Sequence, residues 1–270
     1  MSIVIEQDVK AENPKFASFR TPSLEKFAAF GDLIHDKNPL HRDAEYAAQL
    51  RCAAPPVFGV ALEALAYDAV KKKDISSSNI LEGEICSSCA FKFTHPVYAD
   101  SEVALVNSHL KLREQQPVFQ CEARNGTNTI FNVIVGFCKN YPSFIAPEGG
   151  SLIQYRQTIN AKDAQQFYTL LSLDNSGEVS PLQVAAQIPA ALLQLSEQRS
   201  GKIQGISRGI AIEFFMKPQL GEYRTEIRLV STKGSREKGF IYGVEGICYQ
   251  KDHPVVSGSM TILHPCDLRN

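Results

Sequence analysis

Two side chains that can move protons, Asp36 and His41, lie five positions apart on either side of the pair Asn38 and Pro39. Proline fixes its own φ and pushes the preceding residue out of the helical region, so a helix that ends near residues 33–35 cannot continue through this pair. The loop that results can direct a carboxylate and an imidazole towards one point. Proton transfer requires such groups within hydrogen-bond distance of one substrate atom. The pattern therefore indicates general acid–base chemistry.

Helices are predicted on both sides of this loop. A helix begins near residue 23, with Thr21 or Ser23 as its cap, and a second short helix begins after Asp43, which is a suitable N-cap. Further along, residues 57–70 are apolar nearly all round and rich in alanine. This composition is typical of a buried central helix.

The segments that follow are β in character. Residues 88–98, 102–114, 118–124 and 129–139 carry β-branched and aromatic side chains and are separated by turn-forming residues. A central helix followed by a run of antiparallel strands predicts the α+β class, with a sheet wrapped around a helix.

The same order of segments starts again after residues 142–150, which contain two prolines and two glycines. The matching segments, each given with its first-half counterpart, are 166–173 with 26–33, 181–183 with 39–41, 188–193 with 58–63, and 214–218 with 91–96. The chain is therefore predicted to be a tandem duplication, with units at 1–142 and 151–270. Pairing the two units edge to edge gives a pseudo-dimer with one continuous sheet, which removes two exposed edges.

Three blocks in the first unit resemble one known family. The spacing Asp-x-Asn-Pro-x-His-x-Asp over residues 36–43 is similar to the hydratase signature of the MaoC-like (R)-specific enoyl-thioester hydratases and dehydratases. Residues 56–59 and 91–97 resemble the Pro-Val/Ile-x-Gly and Phe-x-x-Pro-Val segments of that family, in the same order. The resemblance covers roughly residues 20–140. It implies a double hot-dog fold.

The resemblance also implies roles for particular residues. Asp36 and His41 together would bind and polarise water and move protons, and Asn38 would fix the loop and orient the pair. The backbone N–H of Gly59, at the start of the central helix, would face the thioester carbonyl as an oxyanion hole. One position departs from the pattern, because the family usually has a histidine just before this glycine and this chain has Phe58.

The second unit lacks these groups at the matching positions. Gln183 stands where the first unit has His41, and it cannot exchange a proton near neutral pH. Pro189 stands where the first unit has Gly59, and it has no backbone N–H. Asp174 is a candidate counterpart of Asp36, although the loop after it is longer. We therefore expect one active site per chain, in the first unit.

The leading hypothesis is a lyase that interconverts (R)-3-hydroxyacyl and trans-2-enoyl thioesters by syn hydration and dehydration. By resemblance it needs no metal or redox cofactor, and its substrate is carried on coenzyme A or acyl carrier protein, in fatty acid or polyketide metabolism. A hot-dog acyl-thioesterase is a second hypothesis, with Glu63 of the central helix as its carboxylate. A non-catalytic acyl-binding or scaffold subunit is a third.

Composition excludes several other classes of function. A formal net charge of -1 gives no electrostatic reason to expect nucleic acid or a membrane surface as a partner. The N-terminal residues lack a signal pattern, which predicts a cytoplasmic protein, and association of pseudo-dimers into a homodimer stays open. Seven scattered cysteines favour free thiols. Cys86 and Cys89 form a C-x-x-C motif, but on a regular strand they would face opposite sides of the sheet and could not both bind one metal ion.

Overall fold

The computed structural model describes residues 16–72, 85–113, 116–147, 150–174, 177–203, 205–235, 239–265 and 267–268. Its helices are α1 Leu24–Leu33, α2 Ala44–Gln49, α3 Gly59–Lys72, α4 Ala161–Leu171, α5 Pro181–Ala185 and α6 Gln187–Ser200, with a 3-10 turn at Pro39–His41. Its strands are β1 Ala17–Arg20, β2 Ile85–Phe93, β3 Glu102–Arg113, β4 Gln116–Asn125, β5 Asn128–Cys138, β6 Ile153–Ile159, β7 Ile206–Phe214, β8 Gly221–Ser235, β9 Gly239–Gln250 and β10 His253–His264.

All of these strands belong to one antiparallel sheet, in the order β1-β3-β4-β5-β2-β7-β10-β9-β8-β6. The first five and the last five strands repeat the same arrangement in mirror order. The two sets meet where β2 pairs with β7, with Ala90 opposite Ala211. The predicted double hot-dog fold and continuous sheet are confirmed. The unit limits at residues 142 and 151 stay a prediction.

One long helix in each half provides the core. Eight residues of α3 are buried, from Val60 to Val70, which confirms the predicted central helix. Its counterpart α6 packs closely on the sheet, because Gly246 of β9 has no side chain to hold it away. A Cβ added at Gly246 would lie 2.4 Å from Cγ2 of Ile188, a fully buried residue of α6.

The first helix connects the two halves and leads into the motif loop. Ser23 caps α1 by accepting a hydrogen bond from the Lys26 N–H, whereas Thr21 is buried and donates to the Tyr98 carbonyl, so Ser23 is the cap. The helices α1 and α4 contact each other through Phe30 and Phe167, whose ring centroids are 5.5 Å apart. This contact holds the end of α1 against the second half.

The C-x-x-C pair departs from the prediction. The register of β2 against β5 shifts between Cys86 and Ser88, so Cys86 lies opposite Phe137 and Cys89 opposite Val135. Because Phe137 and Val135 are two residues apart on one strand, both cysteines face the same side of the sheet, and the expectation of opposite faces is wrong. In the described part of the chain, no three His, Cys, Asp or Glu side chains are grouped to hold a metal ion.

None of the helices in the described ranges has both the length and the apolarity needed to span a membrane.

Replacing Gly209 by alanine is expected to weaken the central pairing of β2 with β7. A Cβ on Gly209 would lie 2.3 Å from the carbonyl oxygen of Phe91, a backbone atom that cannot move without shifting its strand. We expect a loss of about 1–3 kcal/mol in the free energy of unfolding, measured as a fall of roughly 2–10 °C in Tm. Gly150→Ala is the matched control, because no heavy atom lies within 4 Å of its added Cβ. An unchanged Tm in Gly209→Ala would contradict this close approach.

Candidate active site

The motif loop begins where α1 ends. His35 takes a left-handed backbone conformation with φ of 58°, and the chain reverses there. The Asp36 N–H then donates to the carbonyl of Gly31, 2.9 Å away, which fixes the direction in which Asp36 leaves the helix. The side chain of His35 points away from this loop, because its Nδ1 lies 2.8 Å from the Tyr155 hydroxyl. His35 therefore lies outside the site.

Asn38 forms hydrogen bonds in three directions. Its backbone N–H donates to Oδ1 of Asp36 at 2.9 Å, and its side-chain oxygen accepts from the Leu40 N–H at 3.1 Å. Its side-chain Nδ2 donates to the carbonyl of Gly205, 2.9 Å away in the second half of the chain. Asn38 thus holds Asp36, caps the 3-10 turn and attaches the loop to the other half. The predicted loop-fixing role agrees with these contacts, but the partner across the two halves had no signal in the sequence.

His41 is held in one tautomer by the backbone. Its Nδ1 lies 2.8 Å from the carbonyl oxygen of Pro56. Because a carbonyl can only accept, Nδ1 carries the proton, and in the neutral ring Nε2 keeps a free lone pair. The imidazole also packs against the ring of Phe58, with centroids 4.4 Å apart and planes inclined by 37°. Both contacts restrict the orientation of the ring.

Phe58 fills the space beneath His41. It is fully buried, and its ring also approaches α1 at Gly31. A Cβ on Gly31 would lie 2.4 Å from Cζ of Phe58, so the ring fits only because residue 31 has no side chain. The departure from the family pattern at this position therefore replaces a polar group with an apolar support for the imidazole.

Asp36 is a buried carboxyl, with 8% of its surface exposed. Burial raises its pKa above the ordinary value, because the charged form loses water. The neighbouring His41, the Asn38 N–H and Arg42 act in the opposite direction, since each stabilises the negative charge. The carboxyl therefore holds its proton more readily than an exposed aspartate does.

Arg42 and Asp43 complete the loop. Asp43 caps α2 as predicted, accepting from the N–H groups of Glu45 and Tyr46. Arg42 is an exposed residue. Its guanidinium donates to the Asp36 carbonyl at 3.1 Å and pairs with Asp32 at 2.8 Å, so it ties the loop back to α1.

A cavity of about 680 Å³ opens beside these groups, and Asp36, Asn38, His41 and Gly59 all line it. Gly59 is the first residue of α3, and the first four N–H groups of a helix have no partner within the helix. The structure thus brings together all four residues that the sequence singled out. The cavity is also lined by residues from the second half that sequence reasoning missed: Pro189, Leu192, Leu193, Ile206, Ile210, Met260 and Ile262.

Glu63 lies on the wall of the same cavity, one turn along α3 from Gly59. Only 3% of its surface is exposed, and its Oε2 has no hydrogen-bond partner among the described residues. Burial raises the pKa of this carboxyl to about 8. At neutral pH it is therefore mainly a protonated, uncharged acid.

The matching loop of the second half has an equivalent cap but lacks the imidazole and the buried aspartate of the motif loop. Ser180 caps α5 by accepting from the Leu182 N–H, as Asn38 does for the 3-10 turn. Gln183 is buried and donates to the Asp163 carbonyl at 3.2 Å. Asp174 is 89% exposed in its side chain and pairs with Lys72 at 2.9 Å. It is therefore a surface residue and does not occupy a position like that of Asp36.

Comparison with known proteins gives similarity in structure alone. A protein from Chloroflexus aurantiacus J-10-fl described as a MaoC domain protein dehydratase is 10% identical, with 96% of this chain and 100% of that chain covered and a TM-score of 0.67. A conserved hypothetical protein from Mycobacterium tuberculosis with a double hot-dog fold is 9% identical, over 93% and 97% of the two chains, with a TM-score of 0.64.

A third similar structure is the 12:0-ACP thioesterase from Umbellularia californica. It is 8% identical, with 77% of this chain and 87% of that chain covered and a TM-score of 0.54. No family model matches the sequence, and no curated protein matches it. At identities this low, these likenesses show the fold.

Replacing Glu63 by glutamine is expected to change how stability depends on pH. The folded-state pKa of about 8 lies above the ordinary value of 4.5, so the folded protein holds a proton that the unfolded chain releases. Stability is therefore highest at low pH and falls as the pH rises from about 4.5 towards about 8, by roughly 3–5 kcal/mol between the two limits. Glu63→Gln removes this contribution.

The measurement is Tm across about pH 5 to pH 9 for the wild type and the variant. We expect a flatter pH dependence in Glu63→Gln, and a wild-type slope in Asp174→Asn, which alters an exposed carboxyl. Equal slopes in all three proteins would show that Glu63 does not hold the extra proton.

Proposed function

We propose that this protein is a lyase that interconverts (R)-3-hydroxyacyl thioesters and trans-2-enoyl thioesters by adding or removing water. One observation carries the proposal: a single cavity is lined by a buried carboxyl at Asp36, an imidazole at His41 with Nε2 free to accept, and the backbone of Gly59 at a helix N-terminus. In the hydration direction these would be the acid, the base and the oxyanion donor, respectively, that the reaction needs.

In the hydration direction, water held between Asp36 and His41 attacks C3 of the enoyl thioester. Nε2 of His41 accepts a proton from the water as the C3–O bond forms, and the double-bond electrons move onto the thioester oxygen. The protonated carboxyl of Asp36 then gives its proton to C2, which restores the carbonyl. The proton on His41 returns to Asp36 and closes the cycle. Both groups act from one face of the acyl chain, so the addition is syn.

The negative charge that develops on the thioester oxygen needs a donor. The N–H of Gly59 meets this need, because it belongs to the first turn of α3, where the helix dipole also favours negative charge. A Cβ on Gly59 would lie 3.4 Å from the ring of Phe93, in van der Waals contact, so the glycine leaves this space open. Glycine allows the closest approach of the carbonyl to the backbone.

The proposed substrate is an acyl group on coenzyme A or acyl carrier protein. The steps above involve proton transfers and C–O bond formation, and the side chains of the cavity supply them. The apolar wall from Leu192, Ile206, Ile210 and Met260 would hold the acyl chain. The second half would then serve as part of the binding site while the first half performs the chemistry.

An acyl-thioesterase is the second candidate function. Glu63 favours it, because a buried carboxyl on the central helix faces the same cavity. A thioesterase fold similar to this one, that of the 12:0-ACP enzyme, adds support. Hydrolysis would need Glu63 as a charged carboxylate, however, and burial opposes ionisation of this group at neutral pH. We therefore place hydration first.

The test uses crotonyl-coenzyme A and follows loss of the enoyl-thioester absorbance. We expect wild-type protein to hydrate the substrate, and Asp36→Asn and His41→Gln each to lower kcat by about 10²–10⁴-fold, the typical contribution of general acid–base groups. The His41→Gln change places at this site the residue that the second half has at position 183. Asp174→Asn is the matched control and should keep the wild-type rate, because this carboxyl is on the surface.

Thiol release from saturated acyl-coenzyme A, measured with a thiol reagent, separates the two candidates. Rapid thiol release that survives His41→Gln, with no change in the enoyl band, would reject the lyase in favour of the thioesterase. Absence of both activities with short, long and carrier-bound substrates would favour a non-catalytic acyl-binding role.

A further inference from the structure

The carboxyl of Glu63 reaches back towards the start of its own helix. Residues four apart lie on the same face of a helix, and side chains tilt towards its N-terminus. Accordingly, Oε1 of Glu63 lies 3.7 Å from the point that a Cβ on Gly59 would occupy. The carboxyl therefore lies at the first turn of α3, beside the N–H groups that have no partner within the helix.

One oxygen of this carboxyl lacks a partner in the described part of the chain. Its Oε2 is buried without a hydrogen-bond partner, and no ion pair to Glu63 occurs among the described residues. A buried polar atom without a hydrogen-bond partner is destabilising. Such an atom on the wall of a cavity is suited to a ligand that completes its hydrogen bonding.

Burial shifts the pKa of Glu63, and no charged neighbour among the described residues contributes to that shift. The other ionisable groups that line the cavity are Asp36, His41, Lys92 and His95, together with Cys52. Cys89 of β2 lies close enough for its thiol and the Glu63 carboxyl to interact, and the pKa of that thiol is raised well above its ordinary value, mainly by burial. Burial also keeps Glu63 protonated at neutral pH, so it has a proton to donate.

The second half shows that the fold does not need an acid here. Residues 188–193 correspond to residues 58–63, so Leu193 is the counterpart of Glu63. The degenerate half therefore lacks the carboxyl as well as the imidazole and the glycine N–H. Leucine at the same place in α6 packs as an ordinary apolar residue. The carboxyl occurs together with the catalytic groups and is absent where they are absent.

We propose that Glu63 is a second oxyanion donor, a neutral carboxylic acid whose O–H donates a hydrogen bond to the thioester carbonyl oxygen beside the N–H of Gly59. This assignment rests on the proposed lyase function. The hydrogen bond strengthens as charge develops on that oxygen, so it accelerates the reaction without transferring its proton. A neutral acid held in an apolar site is well suited to this role.

Two substitutions separate donation from other roles. Glu63→Gln keeps a donor of similar shape that does not titrate, and Glu63→Leu reproduces the residue of the second half. We expect Glu63→Gln to keep kcat for crotonyl-coenzyme A within about tenfold of wild type and Glu63→Leu to lose about 10²–10³-fold, the usual effect of removing one oxyanion donor. Circular dichroism and Tm confirm that both variants are folded.

The pH dependence of kcat distinguishes a hydrogen-bond donor from a residue with a purely structural role, because a structural role would not change it. Wild-type kcat should fall as the pH rises above about 8, because the ionised carboxylate can no longer donate and repels the developing charge. That fall should be absent in Glu63→Gln. Full activity in folded Glu63→Leu would overturn the proposal. Loss of activity in folded Glu63→Gln equal to that in Glu63→Leu would also overturn it, in favour of a charged carboxylate.

A spectroscopic test is independent of turnover. The infrared carbonyl band of ¹³C-labelled hexanoyl-coenzyme A, which is saturated and cannot be hydrated, should move to lower wavenumber on binding the wild type. With Glu63→Leu the band should return to higher wavenumber, and with Asp36→Asn it should remain at the lower wavenumber of the wild type. If the carbonyl band shifts in a Glu63-dependent way but the protein hydrates no enoyl thioester, the proposed hydrogen bond is supported and the proposed lyase function is rejected. A band that is the same in the wild type and Glu63→Leu would reject the hydrogen bond itself.

Discussion

The antiparallel pairing of β2 with β7 is the constraint on which the cavity depends. It joins two five-strand sets into one sheet and fixes the distance between the loops and helices that each half contributes. The proton-transfer groups lie on the first half, while much of the apolar wall belongs to the second. The hydrogen bond from Asn38 to Gly205 reinforces this arrangement, because it attaches the motif loop directly to the chain just before β7.

The two halves share a common framework and differ in the side chains that their matching loops carry. The cap of the 3-10 turn by Asn38 and the cap of α5 by Ser180 are equivalent, so the local backbone survives without the chemistry. Gln183 satisfies a backbone carbonyl where the first half presents an imidazole. Pro189 also lines the cavity, so a second-half residue without a backbone N–H contributes to the wall beside the motif loop.

Much of this architecture could be predicted from the sequence because the signals are local. The proline in the loop, the cap at Asp43 and the alanine-rich run of α3 each determine their own neighbourhood. The face of Cys86 could not be predicted, because a register shift between strands depends on pairing with β5. The contacts of Arg42 could not be predicted for a similar reason, since its partners Asp32 and the Asp36 carbonyl come together only when the loop folds back on α1. Neither the register shift nor the contacts of Arg42 can be inferred from the spacing or composition of the sequence.

The stacking of His41, Phe58 and Gly31 has an evolutionary consequence. The three residues form a column in which the imidazole rests on the phenyl ring and the ring occupies space left by the missing side chain at position 31. Positions 31 and 58 can therefore not vary independently. A lineage that gained bulk at 31 would have to lose the phenylalanine first, and a lineage that acquired the phenylalanine must already have had glycine at 31. Covariation of these two positions, which are distant in sequence, would indicate the order in which the residues that support the His41 ring evolved.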